Sequence, residues 1–237
     1  RGSVQAGFRV SSAGNIMISG NLSGSATARG MIVVSGGINS PGESVESGMG
    51  VTCRFCENSL IRSSGPIKVS EAVIHSVIET EAYVDVSGNP GRIVGGLIRA
   101  ADGISAVTAG TNIGIPTVLE IGVSPRKRHE QARLERDLAK VRDDLEKTSR
   151  TGRRPSREVG DYDNLRLKRM KKLWQEQEVV LEKRLRSFNE ALEKLPGGFF
   201  DAKEVLPGVK LVMVTTVTEF TNPVTRLAKG VVRRETD

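Results

Sequence analysis

Residues 27–36 read TARGMIVVSG, and the same phase returns through the first half of the chain. SSAGNIMISG (11–20), ESGMGVTCRF (46–55), SSGPIKVSEA (63–72) and TEAYVDVSGN (80–89) each set a small residue before apolar positions in alternation. Gly14, Gly30, Gly48, Gly65 and Ala82 mark the expected corner, at spacings of 16, 18, 17 and 17 residues. AADGISAVTAG (100–110) adds a further unit, with Gly103 after a longer gap. The alternation Ile16-x-Ile18, Ile32-x-Val34, Ile67-x-Val69 and Val84-x-Val86 has the period of a strand. Strands this short bury no face alone, so the units must stack. A repeat of about 17 residues with glycine corners and no helical pattern predicts a β-solenoid. At roughly 4.8 Å per rung, six or seven coils make a rod about 30 Å long. The competing arrangement is a β-sandwich of unrelated hairpins, against which the recurring glycine phase argues. Spacing alone does not set the handedness.

Composition agrees with narrow layers. The chain has 237 residues, 26 of them glycine, and only 4% are aromatic. Its core must come from Val, Ile, Leu and Ala, and it lacks the ring faces that sugar platforms and base-stacking grooves require. No stretch approaches 18 apolar residues, and the N-terminus has no signal-peptide h-region. The start at Arg1, inside a repeat unit, reads as a fragment. Two cysteines exclude a disulfide-dense scaffold. These features together point to the cytoplasm.

At Ser124-Pro125 the pattern changes. Ser124 is placed to cap a helix with Pro125 at its first position. Leu134, Leu138, Val141 and Leu145 then recur at spacings of 4, 3 and 4. Gly152, Pro155 and Gly160 interrupt the pattern, and Asp161 can cap a second helix. Along it Leu167, Trp174, Leu181, Leu185, Phe188, Leu192 and Leu195 keep a heptad rhythm, with Lys171 and Glu178 as polar exceptions. Pro196-Gly197-Gly198 stops it. Two such segments joined by a short connection predict an antiparallel coiled-coil hairpin. The second helix, about 35 residues, would be roughly 50 Å long. Strand character returns at Val209-x-Leu211-x-Met213 and in VTTVTEF (214–220), as expected if the chain rejoins the solenoid and closes its end. The predicted organisation is repeats over 1–123, a hairpin over 124–196, and strands over 197–237.

The net charge of +7 lies wholly in the hairpin segment, where 124–195 hold 21 Lys/Arg against 14 Asp/Glu. Arg150, Arg153, Arg154, Arg157, Arg166, Lys168, Arg169, Lys171 and Lys172 cluster toward its tip. They form the candidate interaction surface, for an acidic protein, nucleic acid or an anionic membrane. The plainer alternative is a solvated coiled-coil surface.

SGNPGRIVGGLI (87–98) spaces Gly91 and Gly96 as a phosphate-cradling loop would. Leu97 and Ile98 then stand where Lys and Ser/Thr belong, and no helix follows. Gly91, Gly95 and Gly96 are therefore assigned to the backbone, with Gly88, as residues permitting positive φ and close approach at a corner. The coil holding them is expected to carry a small insertion.

Other motifs carry less. In CRFC (53–56) a straight strand puts Cys53 and Cys56 on opposite faces, with Cα atoms about 10 Å apart, beyond the disulfide limit of about 7 Å. A corner at Arg54-Phe55 alone would unite them, and burial in the core is the simpler assignment. His75 and the helical His129 are the only histidines. Nothing in the sequence places Asp85 or Asp102 beside His75 for a triad. No paired carboxylates of the polysaccharide-cleaving kind are evident. No metal or cofactor site is predicted.

GSVQAGFRV (2–10), AGNIMISGNL (13–22), GMIVVSGGIN (30–39), EAVIHS (71–76), GRIVGGLIRA (91–100), TVLEIGV (117–123) and LPGVKL (206–211) together resemble the FapA (flagellar assembly protein A) family. GRIVGG with the preceding IHS is the most specific part. The resemblance spans nearly the whole chain. It implies a right-handed, single-stranded β-solenoid with an inserted coiled coil, mainly β, in the bacterial cytoplasm. It further implies a scaffold in flagellar assembly or placement, partnered by flagellar or cell-pole proteins. No catalytic residues come with it, and family members usually carry a further N-terminal domain. Three functions follow as expectations: a non-enzymatic scaffold, an anion-binding module acting through the basic tip, or a carbohydrate-active solenoid. Self-association through open coil ends is a fourth possibility.

Overall fold

In a computed structural model the chain is described over residues 2–151, 161–214 and 216–231, with side chains left aside at 151, 161–165 and 225–231. It divides into two compact units, Arg1–Arg126 with Leu195–Asp237, and Lys127–Lys194.

The first unit is a three-faced stack of parallel strands. On the first face, Ala26, Val45, Ile61, Ile78, Ile98, Leu119 and Leu211 follow Val10 in one inward column, each paired with the residue one rung away. The second face repeats this with Ile16, Ile32, Val51, Ile67, Val84, Ile104 and Phe200. The third stacks Leu22, Ile38, Cys56, Val73, Ile93, Ala109 and Val205. Six steps separate the seven rungs of the second face, so the solenoid makes about six turns. Almost every residue of these columns is buried to within a few per cent. Like side chains stack on like at the strand spacing, which is why β-branched residues dominate a core with so few rings.

Coil length varies at two corners and is fixed at the third. From first face to second, Val10 leads to Ile16, Ala26 to Ile32, Val45 to Val51, Ile61 to Ile67, Ile78 to Val84 and Ile98 to Ile104: six positions each time. Two residues before each second-face residue stands the corner position, held by Gly14, Gly30, Met49, Gly65, Ala82, Asp102 and Gly198. Gly48 is therefore not the register partner of Gly30, because the step from Ile32 to Val51 is longer than a spacing of 18 implies, and Met49 fills the column. Gly103 likewise lies one residue past the corner position, as the first residue of its strand. At Gly65 an added Cβ would overlap the carbonyl oxygen of Met49 one rung below. The backbones stack too closely there for a side chain. Gly14, in the first coil, has open space instead.

The small insertion expected in 87–103 lies between the second and third faces. Val86 is followed by SGNPGR before Ile93, where neighbouring coils use two or three residues. This loop contains a cis Asn89–Pro90 peptide bond.

The end of the stack is closed by strands of reversed sense. Thr216–Phe220 pairs antiparallel with Val209–Met213, and Val224–Val231 pairs antiparallel with Phe199–Val205. This segment both rejoins the solenoid and covers its last rung.

The second unit comprises helix α1 (Pro125–Thr151, which starts in the first unit) and helix α2 (Asp161–Glu193). α1 starts at the proline, as its fixed φ favours. The helices pack together: Gln131 donates to Asn189 at 3.0 Å, Arg184 reaches Glu130 at 3.4 Å, and Arg142 contacts Glu178 at 2.9 Å and Glu182 at 2.5 Å. As residue number rises along α1 it falls along α2. Leu134, Leu138, Val141 and Leu192 form the buried seam. Lys171, on the heptad rhythm, is exposed, while Glu178 is half-buried and satisfied by Arg142.

Candidate interaction surface

The hairpin enters at the invariant corner. The chain leaves the first face after Thr117–Ile121 and re-enters the second at Phe199. Phe199 N–H donates to the Asp102 carbonyl at 2.9 Å, and Gly103 pairs with Phe199. The rung thus closes in register across both helices. Loops of one or two extra residues would break the tight stacking at this corner. A segment that folds on its own and returns to its origin does not.

On α2, Arg166, Lys168, Arg169 and Lys171 are exposed. No carboxylate among the described residues lies within ion-pairing distance of them. Lys172 meets Glu176 only at 3.9 Å. Three other hairpin cations are paired: Arg142 with Glu178 and Glu182, Lys147 with Asp143, Arg150 with Glu146. Hydrogen bonds to those acids push the Arg142 and Lys147 pKa values upward. Arg150 therefore separates from the rest of the predicted cluster. Arg153, Arg154 and Arg157 lie outside the described residues.

The solenoid carries a different charge pattern. The outward column beside the inward column of the first face reads Glu46, Arg62, Glu79, Arg99, Glu120, one residue per rung. Arg62 lies 3.7 Å from Glu46 and 3.0 Å from Glu79. Arg99 lies 2.9 Å from Glu79 and 2.8 Å from Glu120. Desolvation opposes the Arg99 charge, but its bonds to Glu120 and Glu79 prevail and raise its pKa. These carboxylates are neutralised by guanidinium groups within the stack. The ladder was hidden in sequence because its members stand 16 to 21 positions apart, at varying intervals.

His75 belongs to the corner between the third and first faces. Register places Asn58, His75 and Gly95 in one column there, with φ of 47°, 45° and 68°. Asn, His and Gly are the residue types that tolerate this left-handed region. Gly96 follows with φ 83° beneath the Ser76 carbonyl, and Gly91 shares a positive φ of 66°. Gly88 does not; it provides close approach to Ser70 alone. Buried Ser40, Ser59 and Ser76 line the same corner, Ser40 N–H donating to Ser59 Oγ at 3.0 Å and Ser59 N–H to Ser76 Oγ at 3.2 Å. Asp85 sits on the second face opposite Lys68, and Asp102 at the invariant corner. Neither is brought to His75.

CRFC bends where a corner was required. The strand's register shifts between Cys53 and Phe55, turning Cys53 into the second face and Cys56 into the third. The strand is not straight here, and both thiols are buried and free, in keeping with their assignment to the core. The contact with Cys56, then burial, pushes the Cys53 thiol well above its usual range. Among the described residues no group of three or more His, Cys, Asp or Glu could hold a metal ion, and no helix is long and apolar enough to cross a membrane.

The architecture defines a parallel β-solenoid domain with a two-helix insertion. The chain belongs to the FapA family: the model of the Flagellar Assembly Protein A beta solenoid domain matches residues 1–233. No curated protein and no solved structure matches it.

Proposed function

We propose that this chain is a non-enzymatic, cytoplasmic scaffold of bacterial flagellar assembly or placement, in which the solenoid is a rigid platform and the helical hairpin binds protein partners at the flagellum or cell pole. One observation carries the reading: a separate two-helix unit interrupts the solenoid at its most constrained corner without disturbing the register. Family membership supplies the flagellar context. The paired state of Glu46, Glu79 and Glu120 weighs against a carbohydrate-cleaving reading, which needs a free acid and base. The test is recovery of flagellar and polar proteins by the full chain and by a variant with residues 127–194 replaced by a short glycine-serine link. Partner recovery should require the hairpin; equal recovery without it sinks the arm's role.

A second reading, anion binding through the hairpin, is favoured by Arg166, Lys168, Arg169 and Lys171, which have no carboxylate partner among the described residues. It requires binding to nucleic acid or anionic lipid that falls steeply with salt. Affinity unchanged when these four become Gln would remove it.

A further inference from the structure

α2 carries a second apolar stripe that the hairpin does not use. Met170, Leu173, Gln177 and Val180 recur at spacings of 3, 4 and 3, and the three apolar members are 39%, 52% and 64% exposed. The half-buried heptad line Trp174, Leu181, Leu185 and Phe188 lies about 70° around the helix at 100° per residue. Side chains of Leu173, Glu176, Gln177, Val180 and Leu181 outline a shallow concavity along this flank. Among the described residues nothing packs on it. A solvated helix face does not otherwise place apolar residues at heptad spacing.

Among the described residues, charge around the stripe is predominantly positive. Arg166 and Arg169 flank its start, and Lys183 and Arg184 its end; Glu176 is the one acid beside it. Arg166, Arg169 and Lys183 have no carboxylate in reach among the described residues. Two copies of α2 laid antiparallel on this stripe would set Arg169 against Lys183, like charge on like. Such repulsion disfavours self-pairing. A membrane surface fits less well, because the stripe is only two residues wide per heptad and Gln177 lies within it. An interfacial helix presents a broad apolar face.

We propose that this flank of α2 is a docking site for an amphipathic helix of a partner protein, with apolar residues at heptad spacing and acidic residues beside them. The occupant would turn the two-helix unit into three helices. This rests on the scaffold reading and names the chemistry of its partner.

The chain's single tryptophan, Trp174, adjoins Leu173 and reports on the site. The probe is a synthetic four-heptad peptide with Leu at a and d and Glu at e and g. The control carries Lys at e and g. Both are titrated into the full chain at about 0.15 M salt, with Trp174 emission and calorimetry as readouts. The acidic peptide should bind at least about tenfold more tightly than the basic one. L173E/V180E, at exposed positions, should lose about tenfold or more while its helical circular dichroism matches the parent. R186Q, exposed on the opposite side of α2 and outside the basic cluster, should change affinity less than about threefold. Equal binding of both peptides, or undiminished binding by L173E/V180E, overturns the proposal. So does a Trp174 shift with phosphatidylserine–phosphatidylcholine vesicles but not with the peptide, or a concentration-dependent dimer abolished by L173E. If the peptide fails while partner recovery still depends on residues 127–194, the scaffold reading survives and this inference alone falls.

Discussion

Glu79 Oε1 accepts a hydrogen bond from Arg99 Nη1 at 2.9 Å across neighbouring rungs, and its other oxygen takes one from Arg62 Nε at 3.0 Å. Glu79 is 4% exposed although its position points outward. The long arginine stems above and below cover it. The column therefore exchanges water for a continuous sequence of opposite charges, each rung fixing the register of the next.

Removing the centre of the ladder should be costly. E79A leaves Arg99 with one partner fewer in a desolvated site and should destabilise the solenoid by about 3 kcal/mol. E46A removes a half-exposed acid 3.7 Å from its partner and should cost less than about 1 kcal/mol. Urea unfolding of both variants measures the difference. Similar losses would mean that the ladder's burial confers nothing.

Gly65, at the constant-length corner, should be intolerant of a single methyl group. G65A forces Met49's carbonyl aside and should cost roughly 1–3 kcal/mol. G14A, which has open space around it, should stay within about 0.5 kcal/mol of the parent. Thermal melts compare them directly.

Cys53 and Cys56 should be silent in the folded chain. Ellman's reagent should label them only as fast as the core opens, and fully in denaturant. The Cys53 proton is held more tightly folded than unfolded. This contribution to stability is complete below the unfolded thiol's pKa of about 8.5 and is lost as pH rises above it. C53A should flatten the alkaline decline. A decline unchanged in C53A would assign it to other groups.

The reversed strands over the last rung should keep the solenoid from growing. Deleting residues 215–237 bares the parallel edges of Val209–Met213 and Phe199–Val205, which pair readily with other chains. Light scattering should then show higher oligomers absent from the parent. A monodisperse truncation would show that the cap is dispensable.

The glycine-led repeat was legible in sequence because the first corner has constant length and favours glycine where backbones stack closely, as at Gly30 and Gly65. The change at Ser124-Pro125 was equally legible, since a 3.6-residue period and a proline start are local properties. The other two corners vary in length, and what they align was not readable. Only stacking shows that His75 shares a left-handed column with Asn58 and Gly95, that CRFC bends between two faces, and that Met49 rather than Gly48 holds the corner. The charge ladder and the second stripe on α2 have the same origin. Alternation and periodicity reside in neighbouring residues, and sequence alone determined the solenoid and the hairpin. Which distant residues lie 4.8 Å apart depends on how many residues each corner absorbs, and that was decided only in three dimensions.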